Sequence, residues 1–182
     1  FLPTLLAVAT IADGDPAGHR WLEPLVAGAS IGAVAWSSRP DAFSAQQAGD
    51  EWLLTGRSDP VDAASLADVV VVSTGTDVFL VDLTVVGRPN AQPAMDETRQ
   101  LSWLELDSAP ALRIGGEDLA TSLLDRGALG ASAEMLGGAE WAMDTAVEYA
   151  KERVQFGQPI GSFQAVKHRC ADMLVDVEGM RS

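Results

Sequence analysis

The chain has 182 residues, 47% of them apolar, with a net charge of −14 and one cysteine. That apolar content is enough for a real core and excludes intrinsic disorder. The negative balance excludes nucleic acid or an anionic membrane as the main partner, because phosphate binding needs clustered Lys and Arg.

Residues 1–28 read as helical: "FLPTLLAVATIA" is a short helix, "DGDP" a turn, and "AGHRWLEPLVAG" a second short helix closing at Gly28. The opening stretch has some likeness to a signal core, but it has no basic flank and does not begin with methionine. With helical phase still running in the final "DVEGMRS", the chain reads as a piece of a longer polypeptide. A lone cysteine permits no intrachain disulfide, so a reduced, cytoplasmic setting is expected. No apolar run reaches the roughly 20 residues of a membrane-spanning helix.

From residue 29 to 114 the period changes. "SIGAVAWSS", "EWLLTGRS", "VVVVST", "VFLVDL" and "TRQLSWLELD" read as short strands, and "RPDAF", "QAGD", "GTD" and "GRPNAQP" as turns between them. This pattern predicts a compact, mostly antiparallel β-domain. Residues 115–182 return to helical phase. One long helix is expected from Glu117 to about Arg153, with Leu119, Leu123, Leu124, Leu129, Met135, Leu136 and Trp141 on its apolar surface. Gly127, Gly130, Gly137 and Gly138 each cost up to ~1 kcal/mol in an isolated helix. They point to close approach of a backbone or ligand and to burial on several sides. "FGQPIG" then breaks the chain, Ser162 is the expected N-cap, and a second helix runs from Phe163.

The break is rich in chemistry. Arg153 has a plain account as a cation at a helix C-terminus, worth ~0.3–1 kcal/mol. Phe156 and Phe163 fit core residues closing a helical hairpin, and Gln164 fits an ordinary surface residue. Taken together, they offer a guanidinium, an amide, aromatic faces and the N–H groups of a helix start, which suit a phosphate-bearing aromatic cofactor. Elsewhere the signals are weaker. His19 and His168 have no Cys or His partner at metal spacing, so no metal site is expected. Cys170 reads as a buried small apolar residue. Neither "GTDVF" nor "RIGG" has the context of a dinucleotide-binding turn.

The run Arg153, Phe156, Gly157, Ile160, Phe163 and Gln164 resembles the R-x-x-F-G-x-x-(I/L)-x-x-(F/H)-Q signature of the acyl-CoA dehydrogenase family. "AEMLGGAEWAMDTAVEYAKER" resembles the helix before that signature. "RWLEPLVAGASIGAVAWSS" and "GDEWLLTGRSDPVDAASLADVVVV" resemble the entry to the family's β-domain and its middle. The resemblance implies an α+β fold in which a middle β-domain, an antiparallel barrel or sandwich (29–114), lies between the end of an N-terminal helical domain (1–28) and the start of a C-terminal helical bundle (115–182). It also implies FAD as cofactor, an acyl-CoA substrate, a homologous subunit in a homo- or hetero-tetramer, and an electron-transfer protein as acceptor. Carried over by position, Arg153, Gln155, Phe156, Phe163 and Gln164 would contact the adenosine-diphosphate part of an FAD held mainly by a neighbouring subunit.

The departures from the family pattern concern the chain's own flavin site. The family's flavin-facing T-E-P-x-x-G-S-D is matched here by "AWSSRPDAFSA". Ser38 stands for the threonine and Pro40 for the proline, Arg39 replaces the glutamate, and no Gly-Ser-Asp follows. Pro60 and Asp62 replace an aromatic and a hydroxyl residue, and a carboxylate there would disfavour flavin reduction. Asp125 is present where the family has D-x-x-R, with Ala128 at the arginine position and Arg126 out of register. Gly127 occupies a minority position for the catalytic glutamate, so no catalytic residue is assigned in this chain. Two readings follow. In the first, the chain is part of an FAD-dependent enzyme that desaturates an acyl-CoA thioester between its α and β carbons. In the second, it is a non-catalytic subunit that completes the FAD site of a homologous catalytic partner.

Overall fold

The computed structural model describes residues 2–36, 39, 41–49, 51–96 and 98–182. Helix α1 (Leu2–Asp13) is followed by a 3-10 helix, Pro16–Trp21, which Asp15 caps by accepting the Ala17 N–H at 2.8 Å, and then by α2 (Leu22–Val26). The strands are β1 (Gly32–Ala35), β2 (Phe43–Ala48), β3 (Glu51–Arg57), β4 (Val69–Ser73), β5 (Val78–Asp82) and β6 (Glu105–Gly115), with the short α3 (Leu83–Val86) after β5. They form one sheet in the order β1-β4-β5-β6-β3-β2. Every pairing is antiparallel except β1 with β4. The 11-residue β6 pairs with β3 through Glu105–Ala111 and with β5 through Leu112–Gly115, so one long strand connects the two halves of the sheet. The expected α+β class is the one observed.

Alternation along β4 explains its unbroken valine run. Val69 and Val71 pack with Leu6, Ala7 and Ile11 of α1, Leu25 of α2, Val78, Leu80 and Ile114. Val70 and Val72 face the other way, toward Leu54, Phe79, Val81, Leu83 and Leu104. A strand covered on both faces reads as continuously apolar, and each fully buried valine contributes about 1.5 kcal/mol or more.

Two strand expectations are corrected. Residues 43–48, with 43, 47 and 48 expected in turns and 44–46 in no element, form β2, an edge strand on which only Phe43 is buried, so no apolar alternation marked it. The strand expected at 98–107 begins at Glu105. Before it the chain makes a single bridge, Val61 to Ser102. Pro110 concealed the continuation, yet it sits in β6 opposite Leu53, where its missing N–H and fixed φ are tolerated.

By contact the chain divides into two compact units, Phe1–Gly127 and Ala128–Ser182. The long helix α4 (Glu117–Glu152) begins in the first and ends in the second. The second unit also holds the hairpin β7 (Val154–Gln155) and β8 (Gln158–Pro159), a 3-10 turn (Ile160–Ser162) and α5 (Gln164–Arg181). Here Arg181 pairs with Glu140, and Gly161 lies so close to α4 that a Cβ would sit 2.9 Å from the Ala150 carbonyl oxygen. Burial of α4 on several sides, expected from its glycines, is seen at Ala120, Leu123 and Gly127 but not at Leu129, Met135 and Trp141, which are exposed. A Cβ at Gly137 or Gly138 would meet nothing within 4 Å. Cys170, expected to be buried, is only partly so. Among the described residues no helix is long and apolar enough to cross a membrane.

Gly56 is the tightest backbone approach in the sheet. It lies at the register shift between β3 and β6 with φ +150°, and a Cβ there would be 2.0 Å from the Ala42 carbonyl oxygen. That oxygen accepts the Arg57 N–H at 2.9 Å, so it is not free to retreat. Gly56→Ala should therefore destabilise the protein by about 3 kcal/mol, read as a lower urea midpoint. An unchanged midpoint would show that the bulge can relax.

Candidate functional site

Helix α4 stops where Arg153 donates its N–H to the Tyr149 carbonyl at 2.9 Å and the chain turns into the β7–β8 hairpin. The two residues between the strands, Phe156 at φ +53° and Gly157 at φ +79°, both lie in the left-handed region. That makes a two-residue turn of the I′ type, whose twist matches paired strands. For Gly157 this conformation is easy, while for Phe156 it costs on the order of 1 kcal/mol. The hairpin closes through the Ile160 N–H on the Arg153 carbonyl at 2.7 Å.

Ser162 does not cap the second helix as expected. Its hydroxyl donates to the Pro159 carbonyl at 2.7 Å inside the 3-10 turn, and extended Phe163 is the N-cap residue. The Phe163 carbonyl accepts from Val166 and Lys167, both at 3.1 Å, to start α5 at Gln164.

Phe156 is 94% exposed. It is therefore not the core residue its plain account required. It meets Phe163 edge to face, with ring centroids 6.1 Å apart and planes at 88°. Gln155 turns its amide onto the Val154 carbonyl at 2.8 Å, and the Gln164 amide lies 3.5 Å from His168 Nε2. Arg153 is exposed, and among the described residues no carboxylate pairs with it. The structure thus brings Arg153, Gln155, Phe156, Phe163 and Gln164 onto one hairpin and the helix start that follows. Over residues 151–171 Lys151, Arg153, Lys167 and Arg169 face one carboxylate, Glu152: four positive charges less one negative leaves +3 in a chain of −14. Glu148 accepts from Lys151 Nζ at 2.5 Å, and this hydrogen bond holds the ammonium above the usual lysine range.

The first unit holds the other sequence-singled residues. Ser38 and Pro40 lie outside the described residues. Arg39 donates to the Arg57 carbonyl at 3.0 Å. Pro60 is exposed, and Asp62, expected to present a bare negative charge, pairs with Arg99 at 3.0 Å, 37 residues away in sequence. Arg126 donates to the Ala9 carbonyl at 3.2 Å and pairs with Asp13, fixing α4 to α1. Asp125 is exposed. Gly127 is covered by the indole of Trp36, the residue just after β1. Neither Trp36 nor Arg99 stood out in the sequence. The only signal for Trp36 was an aromatic ending the "GAVAW" strand, and nothing in spacing joined Arg99 to Asp62.

A six-stranded, mostly antiparallel sheet with helices before and after it in the chain is the fold found in solved acyl-CoA dehydrogenase structures such as the butyryl-CoA dehydrogenase of Megasphaera elsdenii, which superposes with a TM-score of 0.84 at 27% identity over 97% of this chain and 54% of that one. Residues 115–182 match the family model described as acyl-CoA dehydrogenase, C-terminal domain. The acyl-CoA dehydrogenase IpdE2 of Mycolicibacterium smegmatis is 35% identical over 161 residues, covering 88% of this chain and 43% of that protein. The ChsE4–ChsE5 complex of Mycobacterium tuberculosis superposes with a TM-score of 0.85 at 32% identity, over 98% of this chain and 52% of that one. PigA with FAD and proline superposes at 0.84 with 25% identity, over 99% of this chain and 55% of that one. The chain belongs to the acyl-CoA dehydrogenase family, and it spans about half the length of the relatives it matches.

The turn itself yields a stability expectation. Asn tolerates the left-handed region and precedes Gly in preferred I′ turns. Phe156→Asn gives up a solvent-exposed edge-to-face contact worth ~0.5 kcal/mol but relieves the larger backbone strain. It should raise stability by about 0.5 kcal/mol, seen as a higher urea midpoint, whereas a fall would mean the ring contact outweighs the strain.

Proposed function

We propose that this chain is a subunit of an FAD-dependent oxidoreductase acting on an acyl-CoA thioester, and that its 153–164 corner contributes to the adenosine-diphosphate end of an FAD held by a homologous neighbouring subunit. The observation that carries this is Phe156, an aromatic ring left 94% exposed by a strained turn beside an arginine that meets no carboxylate among the described residues, in a locally cationic stretch. Strain that survives in an exposed turn points to a role outside folding. Arg153, with the N–H groups at the start of α5, suits a pyrophosphate, and Phe156 and Phe163 offer faces to an aromatic ring. Gln155 and Gln164 add amides, and Ser38 remains the proposed contact from the flavin-facing stretch. FAD would supply the hydride acceptor for α,β-desaturation, with an electron-transfer protein reoxidising it.

The division into 1–28, 29–114 and 115–182 and a cytoplasmic setting belong to the same reading, as does assembly with a homologous subunit. The ChsE4–ChsE5 neighbour, a complex of two named chains, supports a hetero-oligomer. A second reading, in which this subunit completes a partner's site and runs none of its own, is favoured by Gly127 at the minority base position and by Arg39 in place of the family's glutamate.

Flavin counting on the full-length protein, purified alone and with a co-expressed homologous subunit, tests both. Phe156→Asn and Arg153→Gln should each lower flavin retained by the complex about tenfold, with folding intact by circular dichroism. Unchanged flavin in both variants would sink the donated corner. One FAD per chain in the protein purified alone, bleached by an acyl-CoA, would sink the second reading.

A further inference from the structure

Strands β5 and β6 part company at one pair, Leu80 opposite Leu112. Beyond it β5 runs on to Asp82 beside β4, while β6 runs back through Ala111 and Pro110 beside β3. Residues directly opposite each other share a face of the sheet, as do residues two apart along a strand. Leu80 lies opposite Val71, Asp82 opposite Val69 and Pro110 opposite Leu53. Leu80, Asp82, Leu112, Pro110 and, two residues before Leu53, Glu51 therefore share the face that α1 and α2 cover at Val69 and Val71. Neither α1 nor α2 lines the parting itself. The cover ends with the Pro16–Trp21 helix, where a Cβ on Gly18 would fall 3.0 Å from Leu80 Cδ1 and Trp21 stands at the border. Past that border lies an open cavity of 460 Å³.

The floor is apolar, from Leu80, Leu112 and Pro110, with the Trp21 indole as a wall and Val85, 72% exposed, at the rim. Two carboxylates, Glu51 and Asp82, and one guanidinium, Arg20, supply the charge. Asp82 is fixed in place, because its Oδ1 caps α3 by accepting the Thr84 N–H at 2.9 Å and the Thr84 hydroxyl at 2.5 Å. Among the described residues no cation pairs with Asp82 or Glu51, and Arg20 lies instead over the Trp21 ring, 5.7 Å from its centroid. Two carboxylates against one guanidinium leave the lining one negative charge. That charge repels an anion, and a neutral apolar guest would strip water from the carboxylates without replacing it. A singly charged cation on an apolar body cancels the charge and also buries the floor. We propose that this cavity binds a small organic ammonium ion with an apolar body, its nitrogen at Asp82 and Glu51 and its body on Leu80, Leu112 and Pro110 beside Trp21. The site lies wholly within the first unit and does not rest on the flavin reading.

The test uses the full-length protein, calorimetric titration, and three probes with the same phenylethyl body: 2-phenylethylammonium, 2-phenylethanol and 3-phenylpropanoate. The ammonium should bind about tenfold more tightly than the alcohol, because charge-assisted hydrogen bonds are the stronger ones, and the carboxylate should bind weakest. Asp82→Asn removes the charge but keeps a side chain that caps a helix, and Glu51→Gln is an equally conservative change. Each should weaken the ammonium about fivefold, the scale of a partly exposed ion pair. Binding of the alcohol should stay unchanged in both variants, which reports an intact cavity. Equal binding of ammonium and alcohol would overturn the proposal, as would ammonium binding that neither variant alters. Absence of binding by every probe at millimolar concentration would overturn it too.

Discussion

Val69 to Val72 have no surface exposed to water, and a strand with that property must be covered on both faces at once. This requirement organises the first unit. One face of β4 and β5 is closed by α1, α2 and the opening turns of α4, which come from opposite ends of that unit and converge on Val69, Val71, Val78 and Leu80. The other face, carrying Val70, Val72 and Phe79, packs on Leu54 of β3 and Leu106 of β6 in the far half of the sheet. Because α4 must reach back to cover valines on β4, it passes the end of β1, β4's parallel neighbour. The meeting of Trp36 with Gly127 follows from that covering, as does the anchoring of Arg126 on α1.

What the sequence revealed of the fold tracks how strongly each element depends on burial. The strands β4 and β5 and the start of α4 were legible because their apolar residues are inside. The edge strand β2 was not, since "FSAQQA" buries one side chain and is held by backbone pairing with β3. The late start of β6 was hidden by its own composition: "TRQLSW" has strand-like residues but makes one bridge, while Pro110 looks like a stop and is accommodated. The site shows the same division. The "FGQP" break and its clustered chemistry were visible, but not the I′ turn, because Phe-Gly is far from the Asn-Gly that such turns prefer. The Asp62–Arg99 pair joins residues 37 apart, and no local pattern encodes a contact of that range.

Charge is arranged differently in the two units. In the first, Arg57 pairs with Glu105, Arg88 with Asp68, Arg99 with Asp62, Arg113 with Asp77 and Arg126 with Asp13. These are exposed or partly exposed pairs, each worth at most about 1 kcal/mol, but they leave those guanidinium groups already neutralised. In the second unit Arg153, Lys167 and Arg169 are exposed and, among the described residues, meet no carboxylate. A field that attracts an anion needs charge not already compensated by a neighbour, and that condition holds at the corner.

The proposed reading then constrains the assembly. An identical neighbour would offer the available Arg153–Phe156 corner to a chain in which Arg39 replaces the family's glutamate and Gly127 stands at the minority base position, so every site in a homo-oligomer would combine a cofactor contact with the same departures. A homologous but different neighbour removes the conflict, because the exposed Phe156 and Arg153 would serve a site that keeps the family pattern. Selection for the strained turn at Phe156 then acts on the partner's cofactor and is independent of this chain's own flavin stretch. The persistence of a strained, exposed aromatic in a chain with these departures is accounted for more economically by unlike subunits than by like ones.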